Sequence, residues 1–257
     1  MARAAVLGRL TWRVATVAGV WDETPVARTI VLNVPGWPGH APGQHVDVRL
    51  TAADGYSTQR SYSIGSAWQA ARPIAGRVEL TVVTIADGEV SPYLTRVLRP
   101  GDQLELRGPV GGWFVWDPAS PDPVLLVAGG SGLVPLMAMI RARAAAGSRA
   151  PFRLVYSARD EAAILYRDEL RRRSGEDAGL SVTYVFTRTS PPGSPRPAGR
   201  IGEDVLAAPG WEPAASPGVF VCGPTGFVEA AANLLVGLGH SPRRIKTERF
   251  GPSGGSS

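Results

Sequence analysis

The chain has 257 residues, 44% hydrophobic and 19% charged, which is ordinary for a globular protein and long enough for two modest domains. Its single cysteine, Cys222, excludes an internal disulfide and a thiolate cluster for zinc or iron–sulfur, and only three histidines remain to build a metal centre, so no metal site is expected. The formal charge of +5 comes from scattered arginines, with Lys246 the sole lysine, which argues against nucleic acid but is compatible with an acidic partner. No apolar run approaches the roughly 20 residues of a membrane span, and the N-terminus lacks a secretory apolar stretch. A cytoplasmic protein without membrane contact is therefore expected.

The first part reads as short strands. Residues 11–20, 26–34, 45–50, 59–64, 77–85 and 103–107 are β-branched or alternating runs, separated by turn clusters such as Pro35-Gly36-Trp37-Pro38-Gly39 and Ala86-Asp87-Gly88. Six such strands predict an antiparallel β-barrel. One helix is predicted over 92–98, with Ser91 as its N-cap and Pro92 at its first position. Residues 117–123, DPASPDP, form a connector and place a boundary between units 1–117 and 118–257.

Beyond the connector the pattern changes. Val124 to Ala128 is a continuous apolar run, the mark of a strand buried on both faces. A glycine-rich turn follows, and then a predicted helix over 133–146. The alternation continues with strand 152–157, helix 161–173, strands 181–186 and 219–222, and helix 226–238. This order predicts an α/β doubly wound parallel sheet. Residues 190–197, SPPGSPRP, read as a surface loop.

The glycine turn, Gly129-Gly130-Ser131-Gly132-Leu133-Val134-Pro135, lies between the first buried strand and the first helix. Glycines let the backbone turn sharply there, and the helix N-terminus offers free N–H groups to a pyrophosphate. Gly130 and Gly132 fill the first two positions of the dinucleotide fingerprint, while Pro135 stands at the third. A glycine turn with no ligand is the structural alternative. At the next strand ends, Arg159 and the pair Thr187-Arg188 stand where an acid would accept hydrogen bonds from a ribose. Arginine forks suit a 2′-phosphate, which favours NADPH, while the neighbouring Asp160 keeps NADH open.

Several segments, in this order, resemble the ferredoxin–NADP reductase superfamily. Arg60-Ser61-Tyr62-Ser63 is similar to its flavin motif, Gly88-Glu89-Val90-Ser91-Pro92 to its flavin-phosphate motif, and the glycine turn with Cys222-Gly223-Pro224 to its nicotinamide half. The resemblance runs from Pro42-Gly43-Gln44 to Glu248-Arg249-Phe250. It implies FAD in the barrel and NADPH, or NADH, on the α/β unit. Tyr62 would stack on the flavin ring, Arg60 would neutralise a phosphate, and Ser63 would reach the ring. Ser91, near Gly88 and Val90, would hold the pyrophosphate, while the backbone of Val82, Val83 and Thr84 would border the ring edge. Cys222, Gly223 and Pro224 would pass beside the nicotinamide, with Cys222 positioning rather than attacking. Glu248 and Phe250 would fold back toward the flavin, although the family's terminal stacking tyrosine is absent. Ser63, Cys222 and Glu248 are thus the residues expected nearest the chemistry.

The implied function is hydride transfer from NAD(P)H to FAD, then electron release to a separate acceptor, since no cysteines remain here for an iron–sulfur domain. An acidic ferredoxin, a flavodoxin or an oxygenase component would fit. A free-flavin or small-molecule reductase, and a non-catalytic FAD-binding electron conduit, are the rival readings. The residues after Phe250 read as disordered.

Overall fold

The computed structural model describes residues 10–68 and 76–251. The reading of the tail beyond Gly251 therefore lies outside the described residues. Six strands, β1 (Trp12–Thr24), β2 (Ala27–Asn33), β3 (His45–Thr51), β4 (Ser57–Ser63), β5 (Arg77–Val83) and β6 (Gln103–Val110), form one antiparallel sheet in the order β4-β3-β6-β1-β2-β5. An isolated antiparallel bridge between Ile64 and Leu80 brings its two edges together and closes the barrel. The alternating residues Ala15, Val17, Ile30, Leu32, Val46, Val48, Val78, Leu80 and Val82 fill the interior.

The helix expected after the fifth strand starts two residues earlier. It comprises α1 (Val90–Pro92), which runs into a wide turn at Tyr93–Val97. Ser91 is not its N-cap. That place falls to Glu89, and the Ser91 hydroxyl instead accepts the Ile85 N–H at 2.9 Å, tying the preceding loop to the helix.

The second sheet is parallel. It contains β7 (Val124–Gly129), β8 (Phe152–Ala158), β9 (Leu180–Phe186), β10 (Gly218–Pro224) and β11 (Ile245–Phe250), in the order β11-β10-β7-β8-β9. Its helices are α2 (Leu133–Ala145), α3 (Arg167–Glu176), α4 (Glu203–Leu206) and α5 (Thr225–Gly237). The period-2 rule assigns its faces: Leu126, Ala128, Phe220 and Cys222 join the core with α2 and α3, while Leu125, Val127, Val219 and Val221 join the core with α4 and α5. Both faces are covered, so these strands read as unbroken apolar runs. On β8 Arg153 is a buried cation whose guanidinium caps the C-terminal carbonyls of α4 at Val205 and Leu206.

Two elements depart from the sequence expectation. The helix expected over 161–173 begins only at Arg167, because Asp160 caps a tight turn at Glu161–Ala163 and Tyr166 adopts a left-handed backbone with φ 52°. The C-terminal segment, expected only to fold back toward the barrel, is strand β11, paired in parallel with β10 from Val219–Ile245 to Pro224–Phe250. Six residues with apolar side chains only at the two ends, Ile245 and Phe250, carry too little pattern to announce a strand.

Candidate active site

The expected flavin residues gather at one mouth of the barrel. In the β3–β4 ladder Ser63 lies opposite His45, Tyr62 opposite Val46 and Ser61 opposite Asp47. Strand alternation puts Tyr62 on the interior face with Val46, and Ser63 on the other face beside His45, where its hydroxyl is buried without a hydrogen-bond partner among the described residues. Ser61, two residues back on the same face, donates to Asp47 at 2.7 Å. Tyr62 is half-buried, and burial pushes its phenol up to about 12, so it stays neutral. Arg60 is exposed and donates to neutral oxygens, the Gln59 carbonyl and the Thr58 hydroxyl, with no acid in contact among the described residues.

The end of β5 and α1 form the adjoining wall. The Thr84 N–H donates to the Val26 carbonyl and its hydroxyl to Thr95, while Gly88 packs so tightly on the Ile85 carbonyl and Ser91 hydroxyl that a Cβ would sit 3.2 Å from both. Val82 is buried inside the barrel, and Val83 packs against the core of the second sheet.

The glycine turn abuts β5, β10 and β11. Its glycines do different work. Gly130 has φ 55° and faces open space, with nothing within 4 Å of a Cβ. At Gly132 a Cβ would lie 2.1 Å from the Cys222 carbonyl oxygen, so its missing side chain admits the neighbouring strand rather than a ligand. At Gly129 the Cβ position is filled by the Phe227 ring, 2.6 Å away, and the same ring lies 2.9 Å from a Cβ on Gly223. Pro135 is the third residue of α2, in the first turn, where a missing N–H breaks no bond.

β10 and β11 bring the remaining residues together. Cys222 is paired with Glu248, Gly223 with Arg249 and Pro224 with Phe250. Cys222 is fully buried, and burial together with the neighbouring Glu248 holds its thiol well above the usual range. Glu248 reaches the barrel: its Oε1 lies 3.7 Å from His45 Nδ1, and its Oε2 is buried with no partner among the described residues. Burial pushes its carboxyl up to about 7. His45 is itself shifted down by burial, which the nearby Asp47 charge opposes only in part. The barrel and the parallel sheet thus meet along Ser63, His45, Glu248 and Cys222.

Arg159 and Arg188 are both exposed, and the Arg188 N–H donates to the Arg159 carbonyl at 2.9 Å, so the two strand ends stand side by side. Thr187 bonds back to the Ala158 carbonyl through its N–H and its hydroxyl. One oxygen of Asp160 is engaged as a cap, accepting from the Ala163 N–H at 3.0 Å.

Sequence reasoning missed His45, Phe227, Arg141 and Tyr166. His45 directly follows the quoted Pro42-Gly43-Gln44, whose glutamine donates to the Gly111 carbonyl at 2.6 Å, and only cross-strand pairing shows that it faces Glu248.

Two buried acceptors without partners and an open glycine turn at a shared seam are what a bound flavin and a dinucleotide would satisfy, so the residues present fit both groups. Among the described residues no three His, Cys, Asp or Glu side chains gather as a metal site, and no helix is long and apolar enough to cross a membrane.

Known proteins share this two-unit fold. Residues 30–115 match an oxidoreductase FAD-binding domain family and residues 126–233 an oxidoreductase NAD-binding domain family. The chain is 35% identical over 215 residues to ferredoxin–NADP reductase B of Sorangium cellulosum, covering 81% of this chain and 84% of that one. It is 29% identical over 239 residues to a flavohemoprotein of Deinococcus radiodurans, covering 90% of this chain but only 57% of that longer protein. The FAD/NAD-binding domain of a nitric oxide dioxygenase from Vibrio cholerae shares the fold, with a TM-score of 0.82 at 22% identity over 93% of this chain and 99% of that one. The chain belongs to the ferredoxin–NADP reductase family, with an FAD-binding barrel followed by an NAD-binding α/β unit.

Proposed function

We propose that the chain is an FAD-dependent NADPH oxidoreductase that serves a separate electron acceptor, with its two units divided between Asp117 and Pro118. The observation that carries this reading is the seam where Ser63, its hydroxyl without a partner among the described residues, pairs with His45 in the β3–β4 ladder and Glu248 of the parallel sheet approaches that same histidine. When bound, FAD supplies the ability to take two electrons from a reduced pyridine nucleotide and release them singly.

The protein's own residues supply binding and alignment. Tyr62 covers the ring and shields it from water, and Ser63 offers a hydrogen bond at the ring edge. Arg60, without an acidic partner among the described residues, meets a phosphate. The N–H groups at the start of α1, around Gly88, Val90 and Ser91, face the pyrophosphate. The backbone of Val82, Val83 and Thr84 flanks the ring. Gly130 opens the nucleotide turn, with Gly132 and Pro135 shaping the helix entry behind it. Cys222, Gly223, Pro224 and Phe250 line the nicotinamide side, and Cys222 acts as packing because its thiol is held protonated. Glu248 holds a proton near neutral pH beside the ring.

NADPH is preferred over NADH in this reading. Arg159 and Arg188 stand together at the strand ends, and the acid that a ribose would need is engaged as a turn cap. A 2′-phosphate between two guanidinium groups gains bidentate, charge-assisted hydrogen bonds. The acceptor is a ferredoxin, a flavodoxin or an oxygenase component, and the chain's positive charge favours an acidic one.

The test is anaerobic titration of the purified yellow protein with NADPH and NADH, followed by addition of an acidic ferredoxin. Preferential bleaching by NADPH and reoxidation by the ferredoxin are expected. A protein that binds FAD but is bleached by neither nucleotide would be a conduit, and one reoxidised only by free flavin would be a small-molecule reductase.

A further inference from the structure

The helix that begins at the nucleotide turn also grips the barrel. Arg141, two turns into α2, donates to the Gly65 carbonyl at 2.8 Å and pairs with Glu79 of β5. Gly65 lies just past Ser63, and Glu79 lies on the strand that leads to Val82 and Val83. The same guanidinium is held by Glu169 of α3, at 2.6 Å, and Arg173 bonds the other oxygen of Glu169 at 2.7 Å. Burial works against the Arg141 charge, yet Glu169 and Glu79 more than offset it. Gly65 itself has no room: a Cβ there would lie 2.9 Å from the Tyr166 hydroxyl and 3.5 Å from Val134 in the first turn of α2.

Tyr166 is the second grip. Fully buried at the start of α3, it lies under Arg141, whose Cζ is 4.9 Å from the ring centroid. Its hydroxyl bonds Thr81 of β5, Thr81 bonds Thr29 of β2 at 2.7 Å, and Thr29 donates to Glu23 at 2.8 Å. Glu23 then accepts the Tyr166 N–H at 2.9 Å, closing the ring of hydrogen bonds. A tyrosine at φ 52° costs backbone energy, and the residue is held there because both its hydroxyl and its amide are engaged by the barrel.

We propose that Arg141 and Tyr166 are positioning residues that set the spacing and angle between the pyridine nucleotide and the flavin. Neither touches the cofactor sites. Both tie α2 and α3, which carry the nucleotide turn and its neighbouring loop, to the barrel strands that carry the flavin residues. Hydride transfer is steep in distance, and a displacement of about 1 Å costs on the order of 100-fold in rate. This inference rests on the NADPH–FAD reading above.

The test uses the FAD-loaded protein with Tyr166→Phe, which removes one hydroxyl, and with the pair Glu79→Gln and Arg141→Met, which removes the ion pair without leaving Glu79 charged and alone. Four quantities are compared with wild type: the flavin spectrum, affinity for 2′,5′-ADP, the long-wavelength charge-transfer absorbance formed on mixing with NADPH, and the limiting rate of flavin reduction with its deuterium isotope effect. The expected result is loss of the charge-transfer band and a 10- to 100-fold slower, more isotope-sensitive reduction, with flavin retention and 2′,5′-ADP affinity within about twofold. Amide exchange at Gly65 and Thr81 should quicken in the same variants. A charge-transfer band and reduction rate within twofold of wild type, with only the melting temperature lowered, would overturn the proposal. If wild type itself forms no such band with either nucleotide, the NADPH–FAD reading fails instead, and the variants' amide exchange alone reports on the clamp.

Discussion

Replacing Gly132 and Gly130 in turn by alanine separates packing from binding in the nucleotide turn. At Gly132 the new methyl would lie 2.1 Å from the Cys222 carbonyl oxygen, 2.4 Å from its carbon and 2.6 Å from the Gly223 nitrogen, all far inside ordinary contact. All three are backbone atoms of a central strand, so no side chain can swing aside. The start of α2 must shift, and overpacking of this kind costs about 3 kcal/mol. For a chain of this size that corresponds to a melting temperature lower by about 6–12 °C. At Gly130 the methyl meets nothing within 4 Å, and the only cost is an alanine at φ 55°, about 1 kcal/mol or 2–4 °C. That methyl would project into the open turn, so Gly130→Ala should weaken 2′,5′-ADP binding in calorimetry at least tenfold while melting close to wild type. The reasoning is refuted if Gly132→Ala melts with wild type, or if Gly130→Ala is the less stable of the two.

Other perturbations test the remaining parts of the site. Glu248 has a carboxyl raised by burial from 4.5 to about 7, so the folded state holds a proton that the unfolded chain gives up, and stability falls as pH rises through that window and then levels off. Glu248→Gln should remove that loss, melting above wild type by an amount that grows from pH 5 to pH 8 and corresponds to roughly 3 kcal/mol at the top; a gap independent of pH would contradict the buried carboxyl. The Cys222 thiol, fully buried and held protonated, should react with a thiol reagent only on unfolding, and fast labelling of the native protein would show that the strand end opens. Arg159→Ala and Arg188→Ala should each raise the KM for NADPH about 10-fold or more while leaving that for NADH within twofold; equal effects on both would remove these residues from a phosphate site.

The sequence by itself determined the two layers. A barrel and a parallel sheet follow from the switch between alternating and continuous apolar runs, because Val46 and Val48 must face one interior while Val124 to Ala128 must be covered on both faces. It also marked the glycine turn, since local backbone chemistry fixes which residue types can stand there, whereas Arg60-Ser61-Tyr62-Ser63 stood out only through its resemblance to a family's flavin motif. What it could not determine was anything set by cross-strand register or by contact between the units. Ser91 looks like a cap but its hydroxyl turns back to Ile85, and the helix after β8 waits for Arg167 because Tyr166 is pinned by Glu23 and Thr81. His45 meets Glu248, and Arg141 meets Gly65, across 203 and 76 positions of chain. Periodicity reports which face of an element is buried, whereas the partner on that face is chosen by the packing of the whole chain, and only the tertiary structure could supply it.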